Sequence, residues 1–185
     1  MPGLYVRVQE ITLSYSVRYA SCSCSRLGFP VDGAPSSSFF LNQMHNLATL
    51  FRAAQLTAHE KHNTVEGQTF FEDHEYLGEL YGTYESAYDS VIERMIGLGE
   101  KCDISGGNIQ AADLAKWFCD LEPIAKWPNI FLEIEARVQK EVDSCCKGSS
   151  SGTLNFLQGL ADESEQRVYK LGQRAKCGCD TDTAS

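Results

Sequence analysis

Histidine is scarce in this chain and ends early. The four present are His45, His59, His62 and His74, so nothing beyond residue 74 supplies an imidazole. This rules out Glu-x-x-His motifs on two separate helix pairs, the arrangement that encloses a di-iron site within one bundle. No two cysteines stand in CxxC spacing, which argues against a zinc site of the ribbon type. No stretch approaches the ~20 consecutive apolar residues of a membrane span. The first residues lack the charged start, apolar run and small-residue cleavage site of a secretory signal. A cytoplasmic protein with no membrane attachment is therefore expected. Residues 1–38 contain no lysine.

The chain has 185 residues, enough for one ordinary domain with some excess, and 43% hydrophobic residues, enough for a core. Its net charge is −9, which disfavours a generic nucleic-acid binder. In residues 1–38 three arginines (Arg7, Arg18, Arg26) face two acids (Glu10, Asp32). That segment is thus +1 and the remainder −10. An acidic body attracts cations through its surface field, although solubility alone also accounts for it. Eight cysteines are present, including the pairs Cys22/Cys24 and Cys177/Cys179. In a reducing compartment these read as free thiols. Soft-metal binding or oxidative cross-linking by the two CxC pairs is the alternative.

Along the chain, residues 1–38 read as an extended or disordered arm, with β-like alternation over YVRVQEITLSYSVRYA and then a Ser/Gly/Pro-rich loop. Residues 39–64 carry an apolar stripe at helical spacing: Phe40, Met44, Leu47, Phe51, Ala54 and Ala58. A turn containing Gly67 precedes a second helix over 69–98, which Gly99 ends. Residues 99–126 read as a connector with a loop at Ser105–Gly107 and a short helix within AADLAKWFCDL. A third helix starts at Trp127-Pro128 and a fourth at Thr153, running to 176. Residues 177–185 form a tail. The expected fold is all-α.

The residues with chemical potential cluster in 59–94. His59 and His62 fall in the last turn of the first helix, three apart and so on nearly one face. His74 lies on the second helix. Asp89 and Glu93 follow on that helix at i and i+4, so both reach one point. His74 and Asp89 are fifteen residues apart, about 22 Å along a helix. Metal–ligand bonds are only ~2 Å, so the two cannot share an ion within one subunit. A second copy running antiparallel across a two-fold axis, crossing near Gly82, would bring His74 of one chain opposite Asp89 and Glu93 of the other. Otherwise the two acids, with Arg94, read as a solvated helix face and the histidines as helix-contact residues.

The spacing His62, Gly67, Phe70, His74, Asp89, Glu93 resembles that of the Dps mini-ferritins. In that family a glycine, a phenylalanine and a second histidine follow the first histidine at plus five, plus eight and plus twelve. An aspartate and a glutamate follow at plus twenty-seven and plus thirty-one. All of these offsets are met here. Two positions depart. Asn63 stands where the family has tryptophan, and Gly78 where it has an acid that serves as an iron ligand. Glu75 and Glu79 flank position 78 but point about 100° away on the helix.

The resemblance implies a ferritin-like four-helix bundle over 39–176, with a long crossover holding a short helix. It implies iron, in a mono-iron or di-iron site at the subunit interface. The ligands would be His62 and His74 from one chain with Asp89 and Glu93 from its neighbour, and His59 is a candidate substitute for the missing acid. Ferrous iron and hydrogen peroxide would be the substrates, ferric mineral the product, and a homo-oligomeric shell of twelve subunits built from two-fold dimers the assembly. Glu141 and Asp143 would line an ion pore, or are ordinary surface acids. DNA binding, known in the family through lysine-bearing tails, is disfavoured by charge. The rival expectation is a degenerate relative, viral or accessory, that keeps the bundle as a structural or interaction protein without efficient ferroxidase activity.

Overall fold

The computed structural model describes residues 37–122, 126–146 and 149–177. The chain divides into two units, Met1–Asp32 and Gly33–Ser185, and every described residue belongs to the second. The arm expected over 1–38 and both CxC pairs lie outside the described residues, apart from Ser37 and Ser38 at the start of the first helix and Cys177 at the end of the last.

Five helices account for the described secondary structure, and no strand occurs among the described residues. They are α1 (Ser37–Thr64), α2 (Phe70–Gly97), α3 (Ile104–Cys119), α4 (Trp127–Cys146) and α5 (Ser151–Cys177). Helix α1 packs against α2, α3 and α4, and α4 packs against α5. The stripe read from α1 is the buried one: Met44, Leu47, Phe51, Ala54 and Ala58 are all fully buried. They meet Leu77 and Tyr84 of α2, Phe118 of α3, Phe131 and Ile134 of α4, and Leu157 and Leu171 of α5. At the N-terminal end of α2 an ion pair reaches α5: Arg174 grips both carboxylate oxygens of Asp73, at 2.6 and 2.7 Å.

Two glycines set the ends of the α1–α2 hairpin. Gly67 has φ +104° in the turn after α1, and Gly99 has φ +88° after α2. Such values cost a residue with a Cβ roughly 1–2 kcal/mol. Gly99 completes a Schellman end: its N–H donates to Ile96 O at 2.9 Å, and the Glu100 N–H to Met95 O at 3.1 Å.

One expectation fails locally. Ser105, Gly106 and Gly107 do not form a loop but lie in the first turn of α3. Asp103 caps that turn, its carboxylate accepting from the Gly106 N–H at 3.0 Å. A capped N-terminus offsets the low helix propensity of the two glycines. The fourth helix likewise begins at Ser151 rather than Thr153.

Candidate metal centre

The turn between α1 and α2 folds the last turn of one helix against the first turns of the other. His62 and His74 are thereby brought together, with ring centroids 3.8 Å apart. His62 Nδ1 lies 2.8 Å from the backbone carbonyl oxygen of His74. A carbonyl oxygen only accepts, so Nδ1 carries a proton, and in the neutral ring the lone pair is then on Nε2. Metal-binding histidines are commonly oriented in this way, by a hydrogen bond on the nitrogen that does not bind. Phe70 packs beside His74 at 5.1 Å between centroids. Both imidazoles are partly exposed.

Gly78 sits directly beneath this pair. A Cβ at that position would lie 3.3 Å from Cε1 and 3.4 Å from Nδ1 of His62. The absent side chain thus makes room for the imidazole. His59 is exposed and stacks on Tyr81 of α2, with centroids 4.9 Å apart.

Asp89 and Glu93 lie on the same unbroken helix as His74, both exposed. Glu93 borders an open groove of about 440 Å³, with Ser90, Arg94, Gly97, Leu98 and Phe156. The Arg94 guanidinium lies over the Phe156 ring, 4.9 Å from its centroid. Fifteen residues of continuous helix, about 22 Å, separate the acids from the imidazoles. Among the described residues no three His, Cys, Asp or Glu side chains of a single protomer form a group able to hold a metal ion. Imidazole and carboxylate donors together suit iron in either oxidation state, but only a second protomer can combine these two halves.

The interior holds a carboxylate that sequence reasoning overlooked. Glu135 of α4 is fully buried. It accepts from Arg167 Nε at 2.7 Å, Arg167 Nη2 at 3.3 Å, Ser164 Oγ at 2.6 Å and the Tyr84 hydroxyl. Burial foremost, and then the Glu135 carboxylate, hold the Tyr84 phenol protonated. With its lone pairs taken, Glu135 is committed to structure. The signal was in the spacing: Glu135 falls on the α4 stripe of Phe131, Ile134 and Val138. Ser164 and Arg167 fall on the α5 stripe between Leu160 and Leu171. Lys61 is a second such case. It is buried at the end of α1 and paired with Glu122 at 2.8 Å.

Of the pore candidates, Glu141 is half-buried and hydrogen-bonded to Asn46, while Asp143 is exposed. Desolvation raises the Glu141 carboxyl above its ordinary range, against the lowering effect of that hydrogen bond. No helix among the described residues is long and apolar enough to cross a membrane. Set against protein-family models, curated proteins and solved structures, the chain matches none.

Proposed function

We propose that this chain is a Dps-like iron protein. On this reading α1, α2, α4 and α5 are the four helices of a ferritin-like bundle and α3 lies in the crossover between α2 and α4. Pairs of chains join about a two-fold axis along α2. His62 and His74 of one protomer then face Asp89 and Glu93 of the other. The observation that carries the reading is the His62–His74 pair, with the His62 tautomer set so that Nε2 is available. Its support from sequence is the joint match of six residue types over thirty-two positions.

The chemistry is the oxidation of ferrous iron by peroxide. Two ferrous ions each give up one electron, hydrogen peroxide takes both with two protons, and two ferric ions and two waters result. The chain's part is to hold ferrous ions on imidazole and carboxylate donors at the dimer seam. Its acidic body, −10 outside the first 38 residues, draws cations toward the shell. Anaerobic loading with ferrous iron followed by peroxide is the test. Ferric absorbance should rise in the native protein and fail to rise after His62→Ala with His74→Ala. Unchanged oxidation in that double variant would refute the assignment.

A second reading has its own observation. Gly78 stands where the resembled family has an acid, and the space a Cβ would take there is met by the His62 ring. A chain of this kind keeps the fold as a structural or interaction protein and oxidises iron poorly. Stoichiometric ferrous binding without peroxide-dependent turnover would favour it.

A further inference from the structure

The first turns of α2 carry His74 but are weakly held by apolar packing. Phe70 and Phe71 are exposed, at 37% and 81%. Tyr76 is only partly buried, and the first fully buried hydrophobic residue is Leu77. Among residues 70–76 the one buried residue is Asp73. Thr69 stands at the N-cap position, yet its hydroxyl makes no capping bond to the backbone. It donates instead to Asp73 Oδ2 at 2.8 Å. A helix end without an apolar anchor frays, so this end depends on what holds Asp73.

Arg174 holds it. Its Nε meets Asp73 Oδ1 at 2.6 Å and its Nη2 meets Oδ2 at 2.7 Å, the two-bond fork of a guanidinium on a carboxylate. The Asp73 side chain is 6% exposed and that of Arg174 28%. Removing one partner leaves the other uncompensated, so breaking this pair costs far more than breaking a surface pair. Helix α5 packs on α4. Through Arg174 its last turns also reach the first turn of α2, 101 residues earlier in the chain. One turn before, Lys170 Nζ stands 5.9 Å over the Tyr76 ring and adds a weaker, exposed contact. Asp73 is the residue before His74, whose carbonyl oxygen orients the His62 ring. A carbonyl is fixed only as firmly as its backbone, and a hydrogen bond weakens steeply with misalignment.

We propose that Asp73 and Arg174 are positioning residues for the His62–His74 pair. Their ion pair holds the first turn of α2 in place, so the His74 carbonyl stays on the Nδ1–H of His62 and the two imidazoles meet an ion already arranged. The last turns of α5 thereby govern the order of the imidazole half of the site. The consequence for metal binding rests on the iron reading above; the positioning itself does not.

Imidazole nitrogen NMR of the metal-free, full-length protein reads the positioning directly, at a pH well above the ordinary imidazole value of about 6.5. Native His62 should show a single tautomer with the proton on Nδ1. Asp73→Asn and Arg174→Met should each turn it into a mixture of both tautomers. Arg174→Lys keeps the charge but not the fork and should fall between. Should a single variant fail to fold, Asp73→Asn joined to Arg174→Met removes both charges and is read in the same way. Leu157→Val weakens the core near the other end of α5. It should lower the thermal midpoint and leave the His62 tautomer native, which separates positioning from general stability. Anaerobic titration with ferrous iron is the second readout. Affinity should fall about five- to tenfold in both ion-pair variants, the cost of ordering one freed imidazole. A native His62 tautomer in both variants, or its equal loss in Leu157→Val, would overturn the proposal. The tautomer is read without metal, so it decides the positioning whether or not iron binds, and a native protein that binds no ferrous iron overturns the iron reading alone.

Discussion

The Nδ1–H of His62 donates to the carbonyl oxygen of His74 across 2.8 Å. This single bond ties the last turn of α1 to the first turns of α2. It also decides which nitrogen of His62 is left outside that bond. On the proposed reading of His62 as an iron ligand, the imidazole is already oriented before any ion arrives, so little ordering remains to be done on binding.

Gly78 is the position most directly coupled to that bond. In Gly78→Ala the new methyl presses on the His62 ring at 3.3–3.4 Å. Helix propensity favours alanine by about 1 kcal/mol, and a partly exposed imidazole can move by a few tenths of an ångström. The variant should therefore be as stable as the native protein or slightly more so, yet bind ferrous iron several-fold more weakly. Thermal melting and anaerobic iron titration of the same sample check the two halves separately.

Gly67→Ala acts on the same pair through the backbone. With φ at +104°, an alanine should cost about 1–2 kcal/mol. It should also loosen the His62–His74 contact by shifting the turn. Urea denaturation gives the first effect and the imidazole NMR shifts of His62 the second.

Removing the carboxylate from Glu135 should be among the most destabilising single changes in the chain. Glu135→Ala strands a buried Arg167 and should cost about 3–5 kcal/mol. Joining it to Arg167→Met removes the stranded charge and should restore much of the loss. A double-mutant cycle in urea measures this coupling.

Cys145 offers a pH test. It is fully buried, and desolvation foremost, then Glu141, push its thiol up from 9.0 to about 12. At pH 8 to 9 it stays protonated in the folded chain, so iodoacetamide should leave it unmodified until the protein unfolds. The sign of the linkage follows. A thiol whose pKa is raised on folding contributes fully below its unfolded value near 9, and that contribution fades as pH climbs toward 12. Stability should fall over that interval, and less steeply in Cys145→Ala.

The helices were legible because their apolar residues repeat at three and four. Met44, Leu47, Phe51, Ala54 and Ala58 mark the buried face of α1 as plainly in the sequence as in the structure. The α3 boundary was not legible, because Ser105–Gly107 carries the composition of a loop. Only the Asp103 cap turns it into a helix start. The Glu135–Arg167 pair was missed because charged residues on an apolar stripe read as surface until their partners are seen across α4 and α5. The approach of His62 to His74 depends on how the turn over 65–69 closes, which residue spacing alone does not specify. Whether Asp89 and Glu93 meet those histidines is a property of two chains.

Mixed assemblies test that last point most directly. One variant carries His62→Ala with His74→Ala, and the other Asp89→Ala with Glu93→Ala. Each alone should oxidise ferrous iron no faster than protein-free buffer with peroxide. Co-refolded in equal amounts, half of the dimers should be mixed, and each mixed dimer holds one intact seam from its two complementary chains. About one quarter of the native rate should return. A mixture that stays inactive, although mass measurement shows mixed dimers, would contradict the shared site. So would an Asp89/Glu93 variant that keeps the native rate alone.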